Sequence, residues 1–196
     1  LFKQARALEK NGLFDEAKLI YKNILFEDPI NKIAFNKIKI ILLNEKDFDS
    51  LKEIAERYQK NQINNPKAQI NLVEIYLISN DERWKAISDE IFNKNIENDF
   101  LIKGLLNKIL EVDYVDYAKS LINFKRQQKD KQAFYSFEMG NYYISRLNYN
   151  KAILEFLIFL DKNPNQYNKI SNKIIAIPDY VDLQQEIKET LYKSSF

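Results

Sequence analysis

One internal repetition constrains this chain more than any other feature. Near the start, Phe14, Ala17, Tyr21 and Pro29 follow Asn11-Gly12; about 135 residues on, Tyr149, Ala152, Phe156 and Pro164 follow Leu147-Asn148. In both copies an aromatic stands three residues before an alanine, a second aromatic four after it, and a proline twelve after it. A motif reused at such a distance indicates a stacked array. One small helical unit cannot cover both of its own faces and needs neighbours to do so.

The intervening sequence keeps the same phase. Taking the alanine as a slot gives Ala17, Leu51, Ile87, Ala118, Ala152 and Leu183, spaced 34, 36, 31, 34 and 31. Phe14, Phe48, Trp84, Val115, Tyr149 and Tyr180 precede these by three; Tyr21, Ala55, Ile91, Ile122, Phe156 and Ile187 follow by four. That is one apolar stripe of an amphipathic helix. Polar breaks come just before each stripe. Asp47, Asp81, Asp113, Asn148 and Asp179 suit N-caps or first-turn acids there, and the wide second spacing fits a longer turn at Ser79 to Arg83. Partner helices are expected at 1–10, 31–44, 66–78, 99–111, 131–146 and 165–176.

The reading is all-α: about six antiparallel helix pairs in one domain over 1–196. Repeats run roughly 1–30, 31–65, 66–98, 99–130, 131–164 and 165–196. Three glycines and four prolines are too few for a turn-rich sandwich or barrel, and prolines 29, 66, 164 and 178 fall at helix boundaries.

Composition narrows the chemistry. There is no cysteine and no histidine, which excludes disulfides, thiolate and imidazole catalysis and ordinary zinc sites. Gly12, Gly104 and Gly140 are too scattered for a phosphate loop. No cofactor and no metal is expected. Charge is balanced at net +2, which speaks against a phosphate-backbone binder. Carboxylate pairs such as Asp15-Glu16 and Asp89-Glu90 read as solvated helix surface. The one basic run, Lys125-Arg126-Gln127-Gln128-Lys129-Asp130-Lys131, reads as a solvated helix end. No apolar run is long enough to cross a bilayer. Because Leu1 already lies in a helical pattern, the expectation is a fragment or processed form, soluble, from the cytoplasm or a bacterial periplasm or envelope.

The 34-residue helix–turn–helix unit resembles the tetratricopeptide repeat. Ala5, Leu8, Gly12, Ala17, Tyr21 and Pro29 fill that family's slots in the first repeat, and Gly140, Tyr143, Ala152, Phe156 and Pro164 fill them in the fifth. Ala118 fills the alanine slot of the fourth, whereas Leu51 and Ile87 replace it in the second and third, and Lys39 stands where a small residue is expected. The resemblance implies a right-handed α-solenoid whose first helices line a concave groove. It implies a protein-binding or scaffolding module without catalysis, its partner a peptide or helix. An RNA-binding pentatricopeptide-like protein, or the repeat arm of a larger enzyme, is the alternative.

Phase places the groove at the fifth and ninth positions of the first helices. These are Phe2/Arg6, Asn36/Ile40, Ile70/Glu74, Lys103/Asn107, Phe137/Asn141 and Asn168/Asn172. Asn107, Asn141 and Asn172 share one slot and would suit an extended backbone, since an amide both donates and accepts. The chain holds 22 asparagines, so compositional bias explains the same row. Lys103/Asn107 also resembles the start of the carboxylate clamp of chaperone-adaptor members. Glu138 and Asn165 break that pattern, and only Lys169 fits it.

Overall fold

A computed structural model describes residues 1–177. Among them are eleven α-helices, one short 3₁₀ turn (Pro164–Gln166) and no strand. The helices are α1 Phe2–Lys10, α2 Phe14–Glu27, α3 Lys32–Glu45, α4 Phe48–Lys60, α5 Pro66–Ile78, α6 Arg83–Lys94, α7 Asp99–Glu111, α8 Val115–Arg126, α9 Ser136–Ser145, α10 Tyr149–Lys162 and α11 Tyr167–Ile175. None is long and apolar enough to cross a membrane. One compact unit is Leu1–Ala118; a second begins at Lys119, within α8. The expected twelfth helix, with Tyr180, Leu183 and Ile187, lies outside the described residues.

The repeat is written most regularly in the backbone turns. Gly12, Lys46, Asn80, Asp113 and Leu147 all have positive φ, between 54° and 76°. They stand 34, 34, 33 and 34 residues apart. At each, the next N–H reaches back over the helix end: Leu13 to Leu8 O (2.9 Å), Asp47 to Leu42 O (3.0 Å), Asp81 to Tyr76 O (2.8 Å), Tyr114 to Ile109 O (3.3 Å) and Asn148 to Tyr143 O (2.9 Å). This six-to-one bond closes a helix with a left-handed residue and turns the chain straight into the next helix. Only Gly12 takes that conformation without a Cβ penalty. Leu147 is a branched residue there and is 73% exposed, so it contributes strain and little packing. Leu147→Gly is expected to raise stability by about 1 kcal/mol in urea titration; a lowered midpoint would refute the strain.

Caps start the helices. Asn31 Oδ1 accepts from Ala34 N (3.0 Å), Asp47 Oδ1 from Ser50 N (3.1 Å), Asn65 Oδ1 from Lys67 N (3.1 Å) and Asn98 Oδ1 from Leu101 N (3.1 Å). Three of these four are asparagines, so part of the asparagine abundance is spent on first-turn donors. Asp113 departs from the expectation: it takes the left-handed turn conformation, and α8 begins two residues later.

The alanine slots are where helices meet. Ala17, Leu51, Ala118 and Ala152 are fully buried, as are Ala5, Tyr21 and Phe156, with Tyr143 almost so. Leu8 and Pro29 are half-buried; Gly12 and Pro164 are surface positions. In α6 the register differs. Ile87 is half-buried, and the buried stripe is Trp84, Ser88 and Ile91. The turn before α6 runs Ser79–Glu82, as the wide spacing suggested, and it carries the stripe off phase. Ser88 fills the small slot and hides its hydroxyl by donating to Trp84 O at 2.7 Å.

That longer turn is braced by charge. Asp81 accepts from Arg83 Nε (2.9 Å), Nη2 (2.7 Å) and backbone N (3.2 Å), and the guanidinium holds its carboxyl down to about 2. A depressed native pKa contributes stability above the ordinary carboxylate range and loses it as the pH falls toward 2. Asp81→Ala is therefore expected to cost about 1 kcal/mol near neutrality, the size of a lost cap. The gap should close in denaturation curves taken from pH 4 to pH 2; a constant gap would refute the titration.

The fifth first-helix starts late. Residues 131–146 were expected as one helix, but α9 begins at Ser136. Tyr135 has φ 63° and is buried, which interrupts the helix before that point. Arg126 fixes this turn by donating to Phe134 O (3.0 Å) and Ser136 Oγ (2.9 Å).

Candidate functional site

In the first unit the first helices α1, α3, α5 and α7 are tied to one another by charge. Lys37 on α3 stands 2.7 Å from Glu9 on α1. Glu74 on α5 takes Lys39 from α3 on one side and, at 3.2 Å, Lys108 from α7 on the other. Lys39, the residue out of place in the repeat pattern, thus has a partner across the helix interface. Burial alone would lower the Lys108 pKa, but its hydrogen bond to Glu111 and the charge of Glu74 override this and raise it. Glu74, one of the groove positions read from phase, is half-buried in this ladder, so a ligand would meet a carboxylate already neutralised by two ammonium groups.

On α3 and α7 the exposed side includes an apolar and amide stripe, whereas α1 exposes Lys3, Arg6 and Lys10. On α3, Ile33, Asn36 and Ile40 form one exposed stripe at i, i+3 and i+7. On α7, Phe100 is 78% exposed with Asn107 exposed two turns on, and Lys103 is half-buried between them. On α5, Ile70 is half-buried, and the Lys67 ammonium lies 5.9 Å from the Phe100 ring centroid. Ile33 and Phe100 escaped the phase argument. Their signal was present, since each stands three residues before a groove position and so on the same face.

Phe137, Asn141, Asn168 and Asn172 belong to the second unit. Phe137 is half-buried, with its ring centroid 5.3 Å from that of Phe159 and 6.2 Å from that of Phe156. The Lys169 and Lys173 ammonium groups stand 4.1 and 5.5 Å from its centroid, so cations from α11 cover the ring. Asn141 donates its amide to Phe137 O at 2.7 Å, within its own helix. Asn168 and Asn172 are exposed on α11. Of the other aromatics in this stretch, Phe134, Tyr135 and Tyr143 are core, and Tyr142 is half-buried.

The basic run is not a solvated helix end. Lys125 is fully buried, its ammonium 5.8 Å from the Phe134 ring centroid. Arg126 grips Glu155 on α10 with both nitrogens of its fork, at 2.6 and 3.2 Å. The helix phase turns these two side chains inward and leaves Lys129 on the surface.

No family model matches the chain. The chain is similar to the uncharacterized chromosomal cassette SCCmec type IVc protein CR006 of Staphylococcus aureus, the strain MRSA252 copy and a second copy giving the same figures. Identity is 28% over 189 residues, which cover 91% of this chain. The chain spans 25% of the length of that relative.

Proposed function

We propose that this chain is a tetratricopeptide-like helical-repeat module that captures a peptide or helix of a partner protein on its first-helix face. The observation that carries the reading is the exposed face of α3 and α7. Ile33, Ile40 and Phe100 are 52%, 54% and 78% exposed there, beside Asn36 and Asn107. Scattered surface hydrophobics need no explanation, but these sit at matching or same-face positions on the first helices of the second and fourth repeats. Such a face offers apolar anchors with amides for backbone pairing. The regular 33–34-residue turn supports the repeat reading. The burial and pairing of Lys125 and Arg126 leave that turn poorly suited to phosphate contacts, which weighs against the RNA-binding alternative.

The test is a photo-crosslinking residue placed at Ile40, with lysate from the organism of origin. A protein adduct that resists nuclease and disappears in the Ile33→Asp, Phe100→Asp variant is the expected result. A nuclease-sensitive adduct would transfer the function to RNA, and an adduct unaffected by the two substitutions would place binding elsewhere.

A further inference from the structure

The second helices α2 and α4 carry a cleft that the first-helix face does not involve. It holds about 260 Å³ and is lined by Leu25, Phe26, Pro29 and Ile54 with Lys22 and Arg57 at its rim. Cofactor and drug-sized clefts run to roughly 300–1,000 Å³, so this volume suits one or two side chains rather than a nucleotide. Leu25 is buried and forms floor, whereas Phe26 is 72% exposed, a large aromatic held out beside an apolar hollow. The Arg57 guanidinium lies 5.5 Å from the Phe26 ring centroid, which orients both groups along one edge.

Charge selects among occupants. Neither Lys22 nor Arg57 has an ion pair among the described residues, although Lys18, Lys37, Lys39, Arg83 and Lys108 of the same unit do. Glu53 also lines the cleft, one turn before Arg57, and does not pair with it. The rim therefore offers two cations with no carboxylate at ion-pair distance, against the one carboxylate of Glu53. The geometry points to a second recognition site in this cleft, one that takes a short acidic peptide segment. An aliphatic or aromatic side chain of the segment enters between Phe26, Pro29 and Ile54, and an aspartate or glutamate within two residues of it reaches Lys22 and Arg57. Planar guanidinium suits a carboxylate in two-point contact, and the apolar wall lowers the local dielectric around it.

The experiment selects a phage-displayed library of random hexapeptides on the purified chain. The expected consensus is one apolar residue with at least one Asp or Glu within two positions. The Lys22→Glu, Arg57→Glu variant should lose enrichment of those phage by roughly tenfold or more, and Phe26→Ala should weaken it independently. Both variants alter exposed side chains, and unchanged far-ultraviolet dichroism confirms their folding. Ile40→Asp, on the first-helix face, should leave the selection intact, which separates this site from the proposed partner-binding face. A consensus without an acidic residue, enrichment equal on the charge-reversed variant, or no enrichment over blank support would overturn the proposal.

Discussion

Arg126→Gln is expected to destabilise the protein by on the order of 3 kcal/mol, read as a lowered urea midpoint. The side chains of Arg126 and Glu155 are 16% and 14% exposed, so the pair is largely withdrawn from water. Desolvation makes such a pair a modest net stabiliser at best, but removing one partner strands the other charge at a cost of several kcal/mol. Two further bonds go with it, those to Phe134 O and Ser136 Oγ. These hold the turn that sets where α9 begins. Arg126→Lys should recover little, because a single ammonium cannot reproduce the bidentate fork and the two donors beside it. Glu155→Gln should cost a comparable amount, and the double variant should cost less than the two losses added. Additive losses, or an unmoved midpoint in Arg126→Gln, would mean that the pair is dispensable.

The second large effect is expected at Gly140. An alanine Cβ built there would stand 2.3 Å from Phe156 Cε1 and 2.5 Å from Cδ1. Phe156 is fully buried, as are Ala152 and Ile153 on the same helix, so its ring has little room to swing away. In an open helix interior, Gly→Ala gains about 1 kcal/mol. Here the clash outweighs that gain, and overpacking should leave a net loss of roughly 1–3 kcal/mol. Gly104 supplies the contrast within the same protein. The nearest atom to a Cβ there is Ile70 Cδ1 at 4.0 Å, an ordinary contact. Gly104→Ala should therefore stabilise by about 0.5–1 kcal/mol. Opposite signs at the two glycines, measured by urea titration, test the packing directly. Phe156→Leu should partly rescue Gly140→Ala, because it removes the ring atoms that collide. Equal effects at both glycines would mean that α9 and α10 do not approach at Gly140.

Local sequence pattern is enough to make the described chain helical and to place most of its helices. The expected 66–78 and 99–111 coincide with α5 and α7, because apolar residues at a 3.6 period leave one choice of backbone and Pro66 and Asn98 mark starts. The slots at Ala17, Ala118, Gly140 and Ala152 were legible for a related reason: a small side chain lets two helices approach closely, though Leu51 is also buried in that slot. Tertiary structure decided whatever depended on a partner distant in the chain. Whether Lys39 breaks the repeat depended on Glu74, and whether Arg126 faces solvent depended on Glu155. The register of α6 hung on the extra turn residues braced by Arg83. At Asn141, one amide hydrogen goes to Phe137 O in its own helix, a contact that groove phase does not record. Periodicity reports which face a residue occupies. What that residue meets there can be set by charges delivered from far along the chain, as Glu74 is to Lys39 and Glu155 to Arg126, and a local pattern carries no record of them.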